Sequence, residues 1–238
     1  MSDAAVSRTA ARPRVGPTLR AVLLTPEAGF AAAARAAQRR EQAGRRPTEG
    51  FAPGVVAVLG FGALGLLWLR LASLLNLREV AAADFRWDFL VASFVLTGLI
   101  GLGLQQLWGL LGPTAIRILS PGSVKPSRPV LRSVWGLALF PQVLGLAFLL
   151  PLDLLIVGPE SFTSERLVDP LAKLWAALSI TAGTALAAWS LWLFYKGLTV
   201  VIEHRGPRAI GVTAAAVSLS IATVLLLALI SRGLGGAA

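Results

Sequence analysis

The chain has 238 residues, 55% of them hydrophobic and 14% charged, with a formal net charge of +10 and no cysteine. A mean hydropathy of +0.72 excludes an ordinary water-soluble domain, where about a quarter of residues are charged. The absent thiols exclude disulfides, thiolate metal sites and cysteine nucleophiles. The positive charge does not point to nucleic acid, because the basic residues flank apolar runs and are not gathered with aromatics on one polar face.

Residues 1–17, rich in Ser, Arg, Pro and Ala, have the composition of a disordered tail. No secretory leader is expected, since the basic start is followed only by the short apolar patch Ala21 to Leu24, so the first membrane span acts as its own signal. Residues 18–48 form the cytoplasmic interfacial region. Thr25-Pro26-Glu27 reads as a helix start, with Thr as a cap, Pro at the first helical position and Glu against the positive end of the dipole. From there to Gln42 the residues are mostly good helix formers. Phe30, Ala33, Ala34 and Ala37 recur at helical spacing, with Arg35, Arg39 and Arg40 elsewhere around the wheel. This predicts an amphipathic helix on the cytoplasmic leaflet, in which Leu19, Val22, Leu23 and Phe30 insert. Arg35, Arg39 and Arg40 then contact anionic lipid, each contributing about 1 kcal/mol. The same arginines also serve simply to fix topology.

Five strongly apolar runs follow, at about 52–72, 89–111, 133–155, 174–196 and 209–231 within a transmembrane domain of 49–233, ahead of a short tail of 234–238. Each has the roughly 20 residues that a helix needs to cross a hydrocarbon core of about 30 Å. The fold class is therefore all-α: a polytopic membrane protein of five transmembrane helices with an N-terminal amphipathic helix. Gly112-Pro113 predicts that the second helix ends near Leu111. Taking each run as one crossing puts sixteen Lys and Arg on the side of the N-terminal tail and five on the other. That asymmetry places the N-terminus in the cytoplasm and the C-terminus outside, in a bacterial inner membrane. Trp68, Trp87, Trp108, Trp135 and Trp175 fall near span ends, as in an aromatic belt.

Within the first span, Gly60-Phe61-Gly62-Ala63-Leu64-Gly65 has the letters of a dinucleotide fingerprint. That motif works only between a strand and a helix in water, so here the glycines read as a close-packing face. Ser179, Gly183 and Ala187, and again Ala214, Ser218 and Ala222, are small residues at a spacing of four that let helices approach in lipid. Two charges interrupt the spans, Arg70 and Asp153. Both come about twenty residues after the cytoplasmic ends of their helices and so share a depth near the outer interface. They either pair as an intramembrane ion pair or reach the outer headgroups independently. Pro141 and Pro151 bend the third span, and Gln105 and Gln106 can hydrogen-bond between helices. His204 is the lone histidine, so no metal, haem or Ser-His-acid constellation is expected, and no cofactor.

Five spans, a cytoplasmic tail and an amphipathic entry carrying Leu23-Leu24-Thr25-Pro26 and Phe30 resemble the Yip1 family of integral membrane proteins. So does a fourth span ending in Trp189, Trp192, Leu193, Tyr195 and Gly197, with a basic turn and a small-residue fifth helix after it. The likeness covers roughly Leu19 to Ile230 and is one of pattern. The tyrosine-glycine-proline tail motif of eukaryotic members is absent, so their part in Rab binding and vesicle traffic is not carried over. For the bacterial members the resemblance implies small multi-pass proteins that organise membranes or membrane complexes. The leading expectation is thus a non-enzymatic membrane protein that scaffolds a complex or lipid region, with anionic lipid, other membrane proteins or its own copies as partners. The alternative is a component of a transporter or permease, although no internal repeat of the usual transporter kind is visible.

Overall fold

A computed structural model describes residues 15–42, 51–74, 86–119, 126–163, 169–202, 207–219 and 221. The expected end of the fifth span, the histidine at 204, both chain termini and most connecting loops lie outside them. The described residues are helical and contain no strand. In chain order the helices are α1 (Val15–Leu24), α2 (Pro26–Gln42), α3 (Phe51–Leu74), α4 (Trp87–Leu119), α5 (Arg128–Ala138), α6 (Phe140–Ile156), α7 (Pro170–Ile202) and α8 (Pro207–Leu219). A 3-10 turn, Gly158–Phe162, follows α6. Four stretches are long and apolar enough to cross a membrane: Pro53–Ala72, Trp87–Leu119, Arg128–Ile156 and Pro170–Ile202.

Close approaches fix the relative directions. On α3, Gly62 faces Phe94 of α4 and Gly65 faces Thr97, while on α4 Gly98 faces Val58 and Gly101 faces Phe61. From Val58–Gly98 to Gly62–Phe94, and from Phe61–Gly101 to Gly65–Thr97, numbers rise on α3 as they fall on α4, so the two helices are antiparallel. The fingerprint-like glycines are thus a helix-packing face, on which Gly62 and Gly65 face α4 and Gly60 faces Leu139. A Cβ there would come within 2.7 Å of the Leu139 Cβ. Helix α7 runs antiparallel to both α3 and α6, with Gly183 facing Leu67 and Leu186 facing Gly145.

The third span is two helices. Pro141 has no N–H to continue the ladder, and the chain turns at Leu139 (φ −83°, ψ 0°). Leu139 N donates to Gly136 O at 3.2 Å and Gln142 N donates to Leu139 O at 3.0 Å. Pro151, by contrast, lies inside α6. After α6, Gly158 takes φ +75°, a left-handed conformation suited to glycine. That turn returns Phe162 onto Leu66 and Leu90.

Three expectations are corrected. Helix α4 does not end near Leu111 but continues through Pro113 to Leu119, because Trp108, Gly109, Gly112 and Ile116 are packed into the bundle and tertiary packing outweighs the local proline penalty. Trp108 and Trp135 are not belt residues: they are buried, 6.3 Å apart between ring centroids, with Phe194 edge-on to both. Ala214 and Ser218 of α8 are exposed, while Val212 and Ala216 on another face pack into the core.

The third correction concerns the N-terminal segment. Its helices form a hairpin crossed tightly at Gly29, where a Cβ would lie 2.5 Å from Val22 N. Helix α2 begins at Pro26, as its sequence predicts, but the Thr25 hydroxyl donates back to Ala21 O at 3.2 Å. Val22 and Phe30 do not insert into lipid. Each is 0% exposed, in one core with Trp108, Leu131, Val134, Leu193, Leu198 and Ile202. A benzyl group gains as much from a protein core as from acyl chains and gains specific contacts besides, so the hairpin's apolar face is spent on the bundle.

Candidate functional site

At the end of the bundle away from the hairpin, α3, α6 and α7 converge on a polar cluster. Arg70, in the last turns of α3, forms an ion pair with Asp153, in the last turn of α6. The two side chains are almost fully inaccessible, at 5% and 2% for the whole residues. The same Arg70 Nη1 donates to Ser179 Oγ at 2.8 Å, and Trp175 Nε1 donates to Asp153 Oδ1 at 2.9 Å. Each carboxylate oxygen therefore has a donor. Trp175 and Ser179 stand four apart on α7, on one helical face, and clamp the pair from that side.

Of the two alternatives for Arg70 and Asp153, the structure has the pair. Independent reach to outer headgroups is excluded by their burial and contact. Ser179, singled out in the sequence only as a small residue, and Trp175, as a belt residue, are additional members. Their spacing of four on the helix opposite two buried charges is the signal that links them. Burial of an ion pair is costly and is offset only when the remaining polar atoms are satisfied. Here satisfaction is incomplete. Arg70 Nε and Nη2 are buried without a partner among the described residues, as is Gln142 Nε2. An unsatisfied buried donor costs about 1–3 kcal/mol.

Those atoms belong to side chains that line a cavity of about 50 Å³. Its walls are mainly Leu66, Leu67, Leu146, Leu149, Leu150 and Leu186, with Gly145 and Gly183 widening it. Arg70, Asp153 and Ser179 border it as well, and so does Gln142, which lies further back along α6. A water needs roughly 10–15 Å³ by this measure, so the space accepts a small polar group. Among the described residues no three His, Asp or Glu side chains converge as metal ligands.

A second polar feature lies at the opposite end. Lys196 Nζ of α7 contacts Glu27 Oε1 of α2 at 3.1 Å, pinning the start of α2 beside the buried Phe30. Arg35 and Arg39 are exposed on the outer side of α2. Arg40 is on the same helix, with its side chain outside the described residues. Of the four residues expected to contact lipid, Phe30 is thus removed, and Arg35 and Arg39 remain free to do so. Nearby, Gln105 Nε2 donates to Arg132 O at 2.8 Å, the interhelical bond expected of it, whereas Gln106 is exposed.

The fold and its sites define an all-helical bundle with four helices able to cross a bilayer, a buried intramembrane-type ion pair and a docked basic hairpin. No protein-family model, curated protein or solved structure matches the chain.

Proposed function

We propose that this chain is a non-enzymatic protein of the bacterial inner membrane that organises its surrounding membrane, collecting anionic lipid of the cytoplasmic leaflet against the bundle. The supporting observation is α2, anchored by Phe30 and by the Lys196–Glu27 contact, with Arg35 and Arg39 presented outward. A basic helix fixed to a bundle holds its charges in place, so lipid attracted to it gathers around the spans. The reading includes a fifth crossing by α8 and the residues after it, the N-terminus in the cytoplasm and kinship with the Yip1 family. The hairpin packs where α3 begins and α7 ends, the arginine-rich side, which supports that orientation.

Two experiments test it. Because the chain has no cysteine, single cysteines at the exposed positions Arg128 and Glu160 report sidedness without background. An impermeant thiol reagent added outside cells should label the cysteine at 160 and spare that at 128. In vesicles containing fluorescent phosphatidylglycerol, the protein should cause lipid self-quenching that is lost in R35E/R39E. Equal quenching by the variant would refute the lipid role.

A second reading, a transporter component, is favoured by the cavity between α3, α6 and α7. Solute uptake by the reconstituted protein that depends on Arg70 would favour it over the first.

A further inference from the structure

We propose that the cavity beside Arg70, between α3, α6 and α7, is a binding site for a small oxyanion of about three non-hydrogen atoms, of the class of formate and nitrite. The proposal is independent of the lipid-gathering role of α2, which lies at the other end of the bundle, and holds whether or not the protein moves solute. It rests on the way in which Arg70 is used. A guanidinium has a side-on edge, formed by Nε and Nη2, that matches two oxygens of one planar anion with parallel hydrogen bonds. Asp153 and Ser179 take only Nη1. Arg70 is 5% exposed. Both nitrogens of its side-on edge are buried without a partner among the described residues, on a side chain that lines the cavity.

Size and polarity together select the guest. The cavity measures about 50 Å³, roughly a third of one that takes benzene, and a water needs about 10–15 Å³ of such space. About three non-hydrogen atoms fill it, so a ring or an alkyl chain is excluded. Both Asp153 oxygens are engaged, one by Arg70 and the other by Trp175, and the apolar wall is mainly leucine. A water on the free edge would accept from the guanidinium but find few acceptors for its own protons, and a small amide has the same defect. An ionised oxyanion has acceptors only. Because the Arg70–Asp153 pair is neutral as a whole, the guest's charge is held by the nearer guanidinium alone and binding is weak. Even at the highest ligand efficiency, about three non-hydrogen atoms give a Kd no tighter than about 0.5 mM. Gln142, further back along α6, takes no part.

The full-length protein in neutral detergent is titrated with isotope-labelled formate, whose line broadening in the NMR spectrum reports the bound fraction. Saturable binding with a Kd of about 0.5–10 mM is expected. Nitrite should displace the label, and butyrate, too long for the cavity, should do so at least about tenfold less well. R70K retains a positive charge for Asp153 but has no side-on edge, and should weaken binding about tenfold or more. Thermal melting of R70K without ligand shows whether it is folded. G183L fills the cavity from α7 and should abolish binding while Arg70 is unchanged. R35E/R39E, which tests the lipid role, should bind formate as the wild type does. No saturable binding by the wild type overturns the site and leaves the cavity to water. Equal binding by R70K and wild type overturns it too, as does loss of binding in R35E/R39E, which would put the anion on α2. If chloride displaces formate as well as nitrite does, the oxyanion is overturned, and if butyrate does, the cavity is overturned as its place. Those two comparisons are read on the wild type and need no variant to fold.

Discussion

Arg70 and Asp153, 83 positions apart in the chain, meet as a buried ion pair that ties the end of α3 to the end of α6. Losing one partner leaves an uncompensated buried charge, a change that typically costs about 3–5 kcal/mol. Removing both with apolar residues of similar size leaves no charge behind. R70M and D153L alone should each lower the melting temperature in detergent markedly, and the R70M/D153L double variant should recover much of the loss. Single variants that melt like the wild type would show that the pair contributes nothing to stability.

Trp175 serves the same carboxylate from α7. Replacing it with Phe retains most of the ring's apolar area and deletes the Nε1–H bond to Asp153 Oδ1. A hydrogen bond to a charged group contributes roughly 1.5–3 kcal/mol, so W175F should be less stable by that amount. In a D153N background the acceptor has lost its charge, and W175F should then cost less. A double-mutant cycle measured by thermal or denaturant unfolding gives the coupling, and simple additivity would separate Trp175 from the cluster.

At the other end of the bundle, Gly197 of α7 leaves room for Phe30, whose ring carbons lie 3.1 Å from where a Cβ would stand. Truncating a buried Phe to Ala costs about 3–5 kcal/mol. Most of that loss should fall on the docking of α1 and α2 and not on the spans. F30A and G197V should therefore expose α2 to limited proteolysis at Arg35 and Arg39 while the bundle's own melting changes less. Resistance equal to wild type would mean that the hairpin is held by other contacts.

How much of this was legible in the sequence depends on which physical signal each residue carries. Four of the five expected spans follow from length and hydropathy, which needs no partner, and Arg70 with Asp153 from equal depth on two helices. Phe30 was misplaced because an amphipathic helix has the same pattern whether its apolar face meets lipid or protein. Only the third dimension supplies Gly197 and Val134 opposite it. Trp108 and Trp135 failed for a related reason: a span end is an interface only if nothing covers it, and here the core that holds the hairpin's Val22 and Phe30 includes both. Pro113 inside α4 shows tertiary packing overriding a local breaker. The unfilled edge of Arg70 has no sequence signal, since it is defined by which nitrogen Asp153 uses.

Gly136 gives the sharpest test of close helix packing. It sits on α5 where α3 and α4 also meet, and a Cβ at this position would stand 2.1 Å from Pro53 O and 2.9 Å from Gln105 Nε2. The first of these is backbone, so it cannot rotate away, and the second belongs to an amide already engaged with Arg132 O. Overpacking of this kind usually costs about 1–3 kcal/mol. Gly103 of α4 is the comparison, because a Cβ there meets nothing within 4 Å and Ala gains up to about 1 kcal/mol of helix propensity over Gly. G136A should therefore melt lower than the wild type and G103A no lower, under identical detergent conditions. If both variants shift alike, the contact between α5 and the start of α3 is looser than its geometry implies. If only G136A falls, the glycine is required by the neighbouring carbonyl and not by the conformation of α5 itself.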